Sequence, residues 1–198
     1  MLLKDADFRA PEADVAPGMP FYTNPLVSDM PDPMVTYDPI NGYYYSLGAR
    51  FDEGGKSVWV YRSKPLANLR QEGRADLCLR EEYGLYDCAW ASELHRIGDR
   101  WYIYAAACHP SRGYAERAMR TLVMASRTDE PLDGFDYAGL LDDDAIIDAT
   151  VLRHRDGRLY LCALRLFEDD RQKLILQPMA SPTCRSGEAV CLARAVYP

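Results

Sequence analysis

Three acidic residues of this chain stand at the same point of a repeated pattern. Asp32, Glu93 and Asp148 each precede a short strand-like segment, a turn rich in Gly, Asn or Asp, and a second segment with an aromatic residue at its start. This pattern predicts a β-hairpin three times. Taken singly, a carboxylate in such a place often only accepts hydrogen bonds from backbone amides. If the fold brings the three together, their repulsion costs free energy unless they perform chemistry or bind a cation.

A group of carboxylates is suited to the cleavage of glycosidic bonds. One ionised carboxylate takes a proton from water while a protonated carboxyl group gives one to the leaving oxygen, and a separation of roughly 6.5–9.5 Å leaves room for the water. Trp90, just ahead of Glu93, is suited to stacking on a sugar face, although packing between sheets explains it at least as well. A carboxylate enzyme site and a metal site are the two interpretations at this point.

Each hairpin continues into a longer repeated unit. A third strand ends at Ser63, Ser126 and Ser181, and a turn and a fourth strand follow. Four short antiparallel strands in roughly 60 residues are typical of a propeller blade, and a β-sandwich is the alternative. The sequence therefore predicts an all-β protein in which residues 1–198 form one propeller domain, with a lead-in segment at 1–22 and blades at about 23–85, 86–141 and 142–198.

A propeller would place the three carboxylates together. The first strand of each blade lies beside the central axis, so the residues that open these strands share one face. The loops after each second strand, at about 50–57, 108–120 and 165–173, would form a rim around them. His109 and Arg165 belong to this rim and, with Trp90 and Glu93, are predicted to bind substrate.

Composition and charge restrict the partners. A net charge of −7 with acidic residues along the whole chain disfavours a nucleic-acid surface, and no apolar stretch approaches a membrane span. The first residues have no signal-peptide core, which predicts a cytoplasmic protein, with secretion left open if a leader was removed. The six cysteines have no C-x-x-C spacing and the three histidines are scattered, so no metal ligands are assigned.

Three segments resemble glycoside hydrolase family 43, the inverting five-bladed propeller enzymes that act on arabinofuranosides and xylosides. They are "MPDPMV", "WASELHRIGDRWYIYAAA" and "IDATVLRHRDGRLYL", and the resemblance runs from about Asn24 to the last residue. It implies that Asp32 is the general base and that Asp148 raises the pKa of the general acid and orients it. Glu93 matches the acidic position of a motif usually written "WAPE" or "WAPD", where this chain has Ala91-Ser92. Some family members bind an axial calcium ion, for which the resemblance assigns no ligands here.

The resemblance lacks one essential part. The family's general acid is a glutamate on the blade after that of Asp148, and the sequence stops before such a motif. Glu188 lies in the turn and fourth strand of the third unit, where the family does not place its acid, and it is not assigned. The chain is therefore interpreted as the first three of five blades of a glycosidase, truncated before its acid, with exposed blade edges that favour self-association.

Two other functions fit the same pattern. A non-catalytic carbohydrate-binding propeller is expected to lack the general acid. A related five-bladed propeller glycosidase or phosphorylase is the other alternative, and a phosphorylase needs a basic phosphate pocket. Arg50, Arg165 or the group Arg112, Arg117 and Arg120 could supply that pocket.

Overall fold

Three antiparallel sheets follow one another along the chain. The computed structural model describes residues 32–49, 57–64, 70–76, 87–108, 119–141, 145–166 and 172–195. The first sheet consists of β1 (Met34–Asp38), β2 (Tyr43–Ala49), β3 (Ser57–Ser63) and β4 (Arg70–Asp76). The second consists of β5 (Asp87–Ile97), β6 (Arg100–Cys108), β7 (Arg120–Ser126) and β8 (Phe135–Leu140). The third consists of β9 (Ile146–Arg153), β10 (Leu159–Leu166), β11 (Gln172–Ser181), β12 (Cys184–Arg185) and β13 (Val190–Arg194).

In each sheet the strands pair in sequence order, as meanders. In the third sheet, β12 and β13 pair with successive parts of β11, so together they act as its fourth strand. The prediction of an all-β chain made of four-stranded antiparallel units is confirmed. The hairpin between β5 and β6 shows how local sequence sets the register: Ile97 pairs with Arg100, and Gly98 supplies the positive φ of 66° that such a two-residue turn requires.

The first strands of the three sheets are neighbours, since β1 contacts β5 and β5 contacts β9. The sheets therefore stand side by side around a common line, as blades do. The apolar core lies between them in two main layers. Between the first and second sheets, Tyr45 and Leu47 pack with Trp101 and Ile103, all four fully buried. Between the second and third, Tyr104 packs with buried residues of β9, β10 and β11.

Polar contacts fix the angle between the sheets. Arg96 Nη1 lies 2.7 Å from Asp38 Oδ2, and the Asp38 side chain is fully buried. The Tyr104 hydroxyl donates to the carbonyl of Pro182 (2.6 Å). The Thr121 hydroxyl donates to the carbonyl of Ile146 (2.8 Å), directly before the segment that carries Asp148.

Candidate carboxylate site

The same irregularity occurs near the start of all three inner strands. Asp32, Ala91 and Asp148 have φ values of 47°, 43° and 52°, and are the non-glycine residues in the described part of the chain with positive φ. Left-handed backbone is uncommon outside glycine, and Asp adopts it more readily than most other residues. Strained conformations of this kind concentrate at functional sites, where they orient a side chain.

Two of the three positions are β-bulges. In the third sheet Ile147 pairs with Leu164 and Thr150 with Cys162, which leaves Asp148 and the next residue opposite one residue of β10. A bulge with its first residue in the left-handed region bends the strand and turns that side chain out of the alternating pattern. Asp148 is accordingly exposed, although the residues on both sides of it are buried.

The structure corrects the predicted register of the repeats. In the second sheet Trp90 pairs with Ala106 and Glu93 with Tyr104, so the residues in the bulge are Ala91 and Ser92. Ala91, and not Glu93, is therefore the structural counterpart of the two aspartates. Glu93 lies two residues farther along β5, well inside the strand. The physical reason is that a bulge inserts a residue without leaving a clear signal in the apolar pattern.

The charges of Asp32 and Glu93 nevertheless act on Asp148. The pKa of Asp148 is raised above its ordinary value by partial burial and then by the negative charges of Asp32 and Glu93. Like charges influence each other's protonation in this way only when they lie close together. The first strands of the three sheets thus bring Asp32, Glu93 and Asp148 to one place.

Glu93 is held more firmly than the two aspartates. His95 Nε2 lies 2.8 Å from Glu93 Oε2, and the two side chains are 20% and 32% exposed. Burial raises the pKa of Glu93, but hydrogen bonds from His95 and Thr150 and the electrostatic attraction of His95 outweigh it, so the pKa lies below its ordinary value. Glu93 is therefore an ionised carboxylate with fixed partners. His95 was missed in the sequence, although it lies two residues from Glu93 and so on the same face of the strand.

The predicted substrate-binding residues are placed differently from one another. Trp90 packs on a small apolar cluster formed by Ala106, Met119 and Ile147, which fits a packing role. Arg165 lies on β10, opposite Ile146 and Lys173. His109 lies outside the described residues, as do most of the predicted rim loops. Their contribution to a site stays a prediction.

The structure assigns no metal centre. Among the residues with described placement, no three or more His, Cys, Asp or Glu side chains are grouped as metal ligands. The expectation of no cofactor, with an axial calcium ion to which no ligands are assigned, stays a prediction. No helix in the described part of the chain is long and apolar enough to cross a membrane.

Comparison with known proteins shows which protein family this sequence resembles. Residues 22–195 match the profile of glycosyl hydrolases family 43. A curated relative, an extracellular exo-α-(1→5)-L-arabinofuranosidase of Streptomyces chartreusis, is 29% identical over 195 residues. The match covers 93% of this chain and 56% of that enzyme. The enzyme of the same name from Streptomyces avermitilis is also 29% identical, over 89% of this chain and 37% of its own length.

Solved structures share the fold. An α-L-arabinofuranosidase from Lactobacillus brevis superposes with a TM-score of 0.71 at 24% identity, covering 86% of this chain and 55% of that one. An endo-arabinase from Bacteroides thetaiotaomicron gives a TM-score of 0.68 at 18% identity, covering 86% and 58%. These matches confirm that the three sheets are blades of an incomplete propeller of the predicted type.

The relatives differ from this chain in length, and two of them have a known cellular location. The chain spans about half the length of the S. chartreusis relative and of both solved structures, and less of the S. avermitilis relative. Both curated relatives are extracellular enzymes. They give no support to a cytoplasmic location, which stays a prediction.

Proposed function

Because the chain belongs to glycosyl hydrolases family 43, we propose that it carries the water-activating part of an active site that hydrolyses arabinofuranosides with inversion at the anomeric carbon. The observation that carries this proposal is geometric: Asp32 and Asp148 have the same left-handed backbone near the starts of first strands that both contact β5, the strand of Glu93. The raised pKa of Asp148, caused by burial and then by the charges of Asp32 and Glu93, supports it. Carboxylates that are kept together against their own repulsion are typical of acid–base catalysis.

Asp32 is proposed as the general base. It is exposed, so water can reach its carboxylate, and its left-handed backbone directs the side chain away from the regular alternation of the strand. The carboxylate would take a proton from water as the oxygen of that water attacks the anomeric carbon. The bond to the leaving oxygen breaks on the opposite side of the sugar, which inverts the configuration.

Asp148 is proposed as the residue that tunes the general acid. Electrostatic repulsion is mutual: Asp32 and Glu93 make Asp148 harder to ionise, and Asp148 would do the same to a carboxyl group beside it. An acid that keeps its proton near neutral pH can deliver it to the leaving oxygen. This role needs a close position and a negative charge, and no direct contact with the sugar.

The general acid itself is not assigned to Glu188. That residue is exposed and lies between β12 and β13, on the outer side of the third sheet, where β10 and β11 separate it from β9. The resemblance to the family implies that the acid belongs to the following blade, and we propose that position for it. Glu93, Trp90, His109 and Arg165 remain proposed substrate-binding residues.

The proposed sugar is an α-(1→5)-linked arabinofuranoside in preference to a xyloside. Both curated relatives carry that linkage in their names, which supports the choice. A pentose oligosaccharide is also compatible with an acidic chain, because a neutral ligand is not repelled by its net charge.

Calorimetric titration with α-(1→5)-L-arabinotriose and with xylotriose tests this proposal. We expect arabinotriose to bind more tightly, and Asp32→Ala to weaken its affinity on the order of tenfold, since hydrogen bonds to a charged group contribute about 1.5–3 kcal/mol. Asp136→Ala is the matched control, because Asp136 is exposed on β8 and paired with Arg127. Equal affinity for the two sugars, or no effect of Asp32→Ala, would contradict the proposal.

A further inference from the structure

Glu93 and His95 form a polar contact on the second sheet that faces the third. Both side chains lie on β5, two residues apart, and join through His95 Nε2 and Glu93 Oε2 at 2.8 Å. The same ring nitrogen lies 3.4 Å from the backbone nitrogen of Val151. Because one nitrogen cannot donate and accept at once, the shorter contact assigns the Nε2 proton to the bond with Glu93. The imidazole thus lies against β9 while it holds the carboxylate.

The Glu93 carboxylate also contacts β9 directly, since the Thr150 hydroxyl donates to it. Thr150 and Val151 follow the bulge of Asp148 without interruption. The Glu93–His95 pair therefore contacts β9 at Thr150 and Val151, the two residues that follow the bulge.

The imidazole is itself fixed by its surroundings. Its ring lies edge-on to Tyr104, with 5.8 Å between the ring centroids. Tyr104 is fully buried, and its hydroxyl is tied to the Pro182 carbonyl. Such packing leaves the imidazole little rotational freedom, which makes it a rigid support for the carboxylate.

Four other titratable groups face this pair. Asp148 on β9 lies near enough for the charge of Glu93 to raise its pKa, after the larger effects of burial and of the charge of Asp32, which lies ahead of β1. On β10, burial and then the charge of Glu93 raise the pKa of the Cys162 thiol. Burial, followed by the nearby Tyr102, raises the pKa of Tyr104 well above its ordinary value. At neutral pH the nearby thiol and phenol are uncharged, so the negative charge in this region comes from the carboxylates.

We propose that His95 is a positioning residue of the carboxylate site: it holds the Glu93 carboxylate against β9, and Glu93 in turn fixes Asp148. The functional meaning of this arrangement rests on the proposed glycosidase function, while the arrangement itself does not. His95 would not touch the sugar. Its effect would reach the reaction only through the place and charge of the two carboxylates.

The test is a carboxyl-carbon NMR titration of Glu93 and Asp148 in three variants of the whole chain. His95→Leu removes the donor, and we expect the pKa of Glu93 to rise and that of Asp148 to fall. His95→Gln keeps an N–H near the position of Nε2 and should restore most of both values. His154→Gln is the matched control, because His154 also contacts a carboxylate, Asp156, at 2.8 Å, but on the exposed hairpin at the other end of β9.

Two readouts separate this proposal from simpler explanations. The pKa of Asp156 lies well below its ordinary value because Arg158 and then His154 bond to it, and it should not change in His95→Leu. If it does change, the substitution has loosened the fold, and the comparison of wild type with His95→Gln then tests the proposal. An unchanged pKa of Glu93 in a folded His95→Leu protein would overturn the proposal. A rise for Glu93 with no change for Asp148 would overturn the link between them.

Calorimetric titration with arabinotriose measures whether His95 also affects sugar affinity. If the wild-type chain binds the sugar, His95→Leu should weaken the affinity on the order of tenfold and His95→Gln much less, which corresponds to the loss of one hydrogen bond to a charged group. If the wild-type chain binds no arabinotriose, the proposed function fails, and the carboxyl titration still decides the role of His95. Equal affinities of wild type and His95→Leu would overturn the positioning role.

Discussion

At the scale of single residues, the site depends on backbone conformations that only some side chains tolerate. Asp32 and Asp148 take a left-handed conformation that Asp adopts more readily than most residues. Ala91 takes it without that advantage. Ser92, next to Ala91, is 3% exposed, and its hydroxyl has no hydrogen-bond partner in the described part of the chain. The second blade thus has the same bulge, although Ala91 does not favour left-handed backbone and the Ser92 hydroxyl is buried there without a partner among the described residues.

Ser92→Ala is predicted to stabilise the protein. A buried hydroxyl without a partner costs roughly 1–3 kcal/mol of desolvation, so its removal should raise the free energy of unfolding by about 1 kcal/mol. Urea denaturation measures this change. Ser126→Ala is the control: the Ser126 hydroxyl accepts from the Trp101 amide and donates to the Thr128 carbonyl, so its loss should destabilise. A Ser92→Ala protein that unfolds more easily than wild type would contradict the prediction.

Asp148→Asn is predicted to stabilise the protein at neutral pH and not in acid. The pKa of Asp148 in the folded chain is raised above its ordinary value of 3.8 by burial and by the charges of Asp32 and Glu93. Such a group favours folding below its unfolded pKa, and that contribution is lost as the pH rises through the folded pKa. An uncharged side chain avoids the loss.

Thermal unfolding at pH 7 and at pH 3 measures this difference. The Tm gain of Asp148→Asn should appear at pH 7 and shrink toward zero at pH 3. Asp136→Asn should show no gain at pH 7, since Asp136 is paired with Arg127. A gain for Asp148→Asn that is the same at both pH values would come from backbone preference and not from charge.

At the scale of strands and sheets, the sequence predicted much of the fold. The turn residues and the aromatic at the start of each second strand predicted the hairpins, because these signals are local. The register of β5 was wrong by two residues, since the bulge at Ala91 and Ser92 changes the pairing without altering the composition. The contact between Asp38 and Arg96, 58 residues apart, could not be predicted because it depends on how two sheets pack.

Asp38→Ala is predicted to destabilise the contact between the first and second sheets. Arg96 is 17% exposed, so its guanidinium group would be left mostly buried without its carboxylate. Removing one partner of a buried ion pair costs about 3 kcal/mol or more. The Ile40 amide would also lose its acceptor, Asp38 Oδ1.

Urea denaturation of Asp38→Ala beside Asp156→Ala measures this cost. Asp156 also pairs with an arginine, Arg158, but on an exposed hairpin, where such pairs contribute little. We expect a clear loss for Asp38→Ala and little change for Asp156→Ala. Equal effects of the two substitutions would show that the Asp38 pair adds no more than a surface contact.

At the scale of the whole molecule, the described sheets leave apolar faces uncovered. Val35 and Tyr37 on β1 are 49% and 51% exposed, and Leu152 on β9 is 52% exposed. β1 belongs to the first sheet and β9 to the third. Large exposed apolar side chains favour association.

The 198-residue chain is therefore predicted to self-associate and to hydrolyse neither an aryl arabinofuranoside nor an aryl xyloside. The chain spans about half of the length of the S. chartreusis relative. An aryl substrate with a good leaving group needs little proton donation, so the assay tests the pocket that these residues form and not the general acid. Size-exclusion chromatography with both assays on the same fractions measures this. A monomeric peak that cleaves either substrate would contradict the prediction and make Glu188 the first candidate for the acid.

The central claim is that Asp32 activates water, and its most direct test is the kcat of Asp32→Asn for an aryl α-L-arabinofuranoside. The assay uses a protein in which this chain is continued by the C-terminal part of the S. chartreusis relative, after activity of the unsubstituted protein is established. We predict a loss of about 10²–10⁴-fold or more with an unchanged Tm, because the substitution removes the proton acceptor and keeps the shape. Asp136→Asn in the same protein should keep full activity. An Asp32→Asn protein that keeps more than about a tenth of the kcat would contradict the claim and assign water activation to another residue.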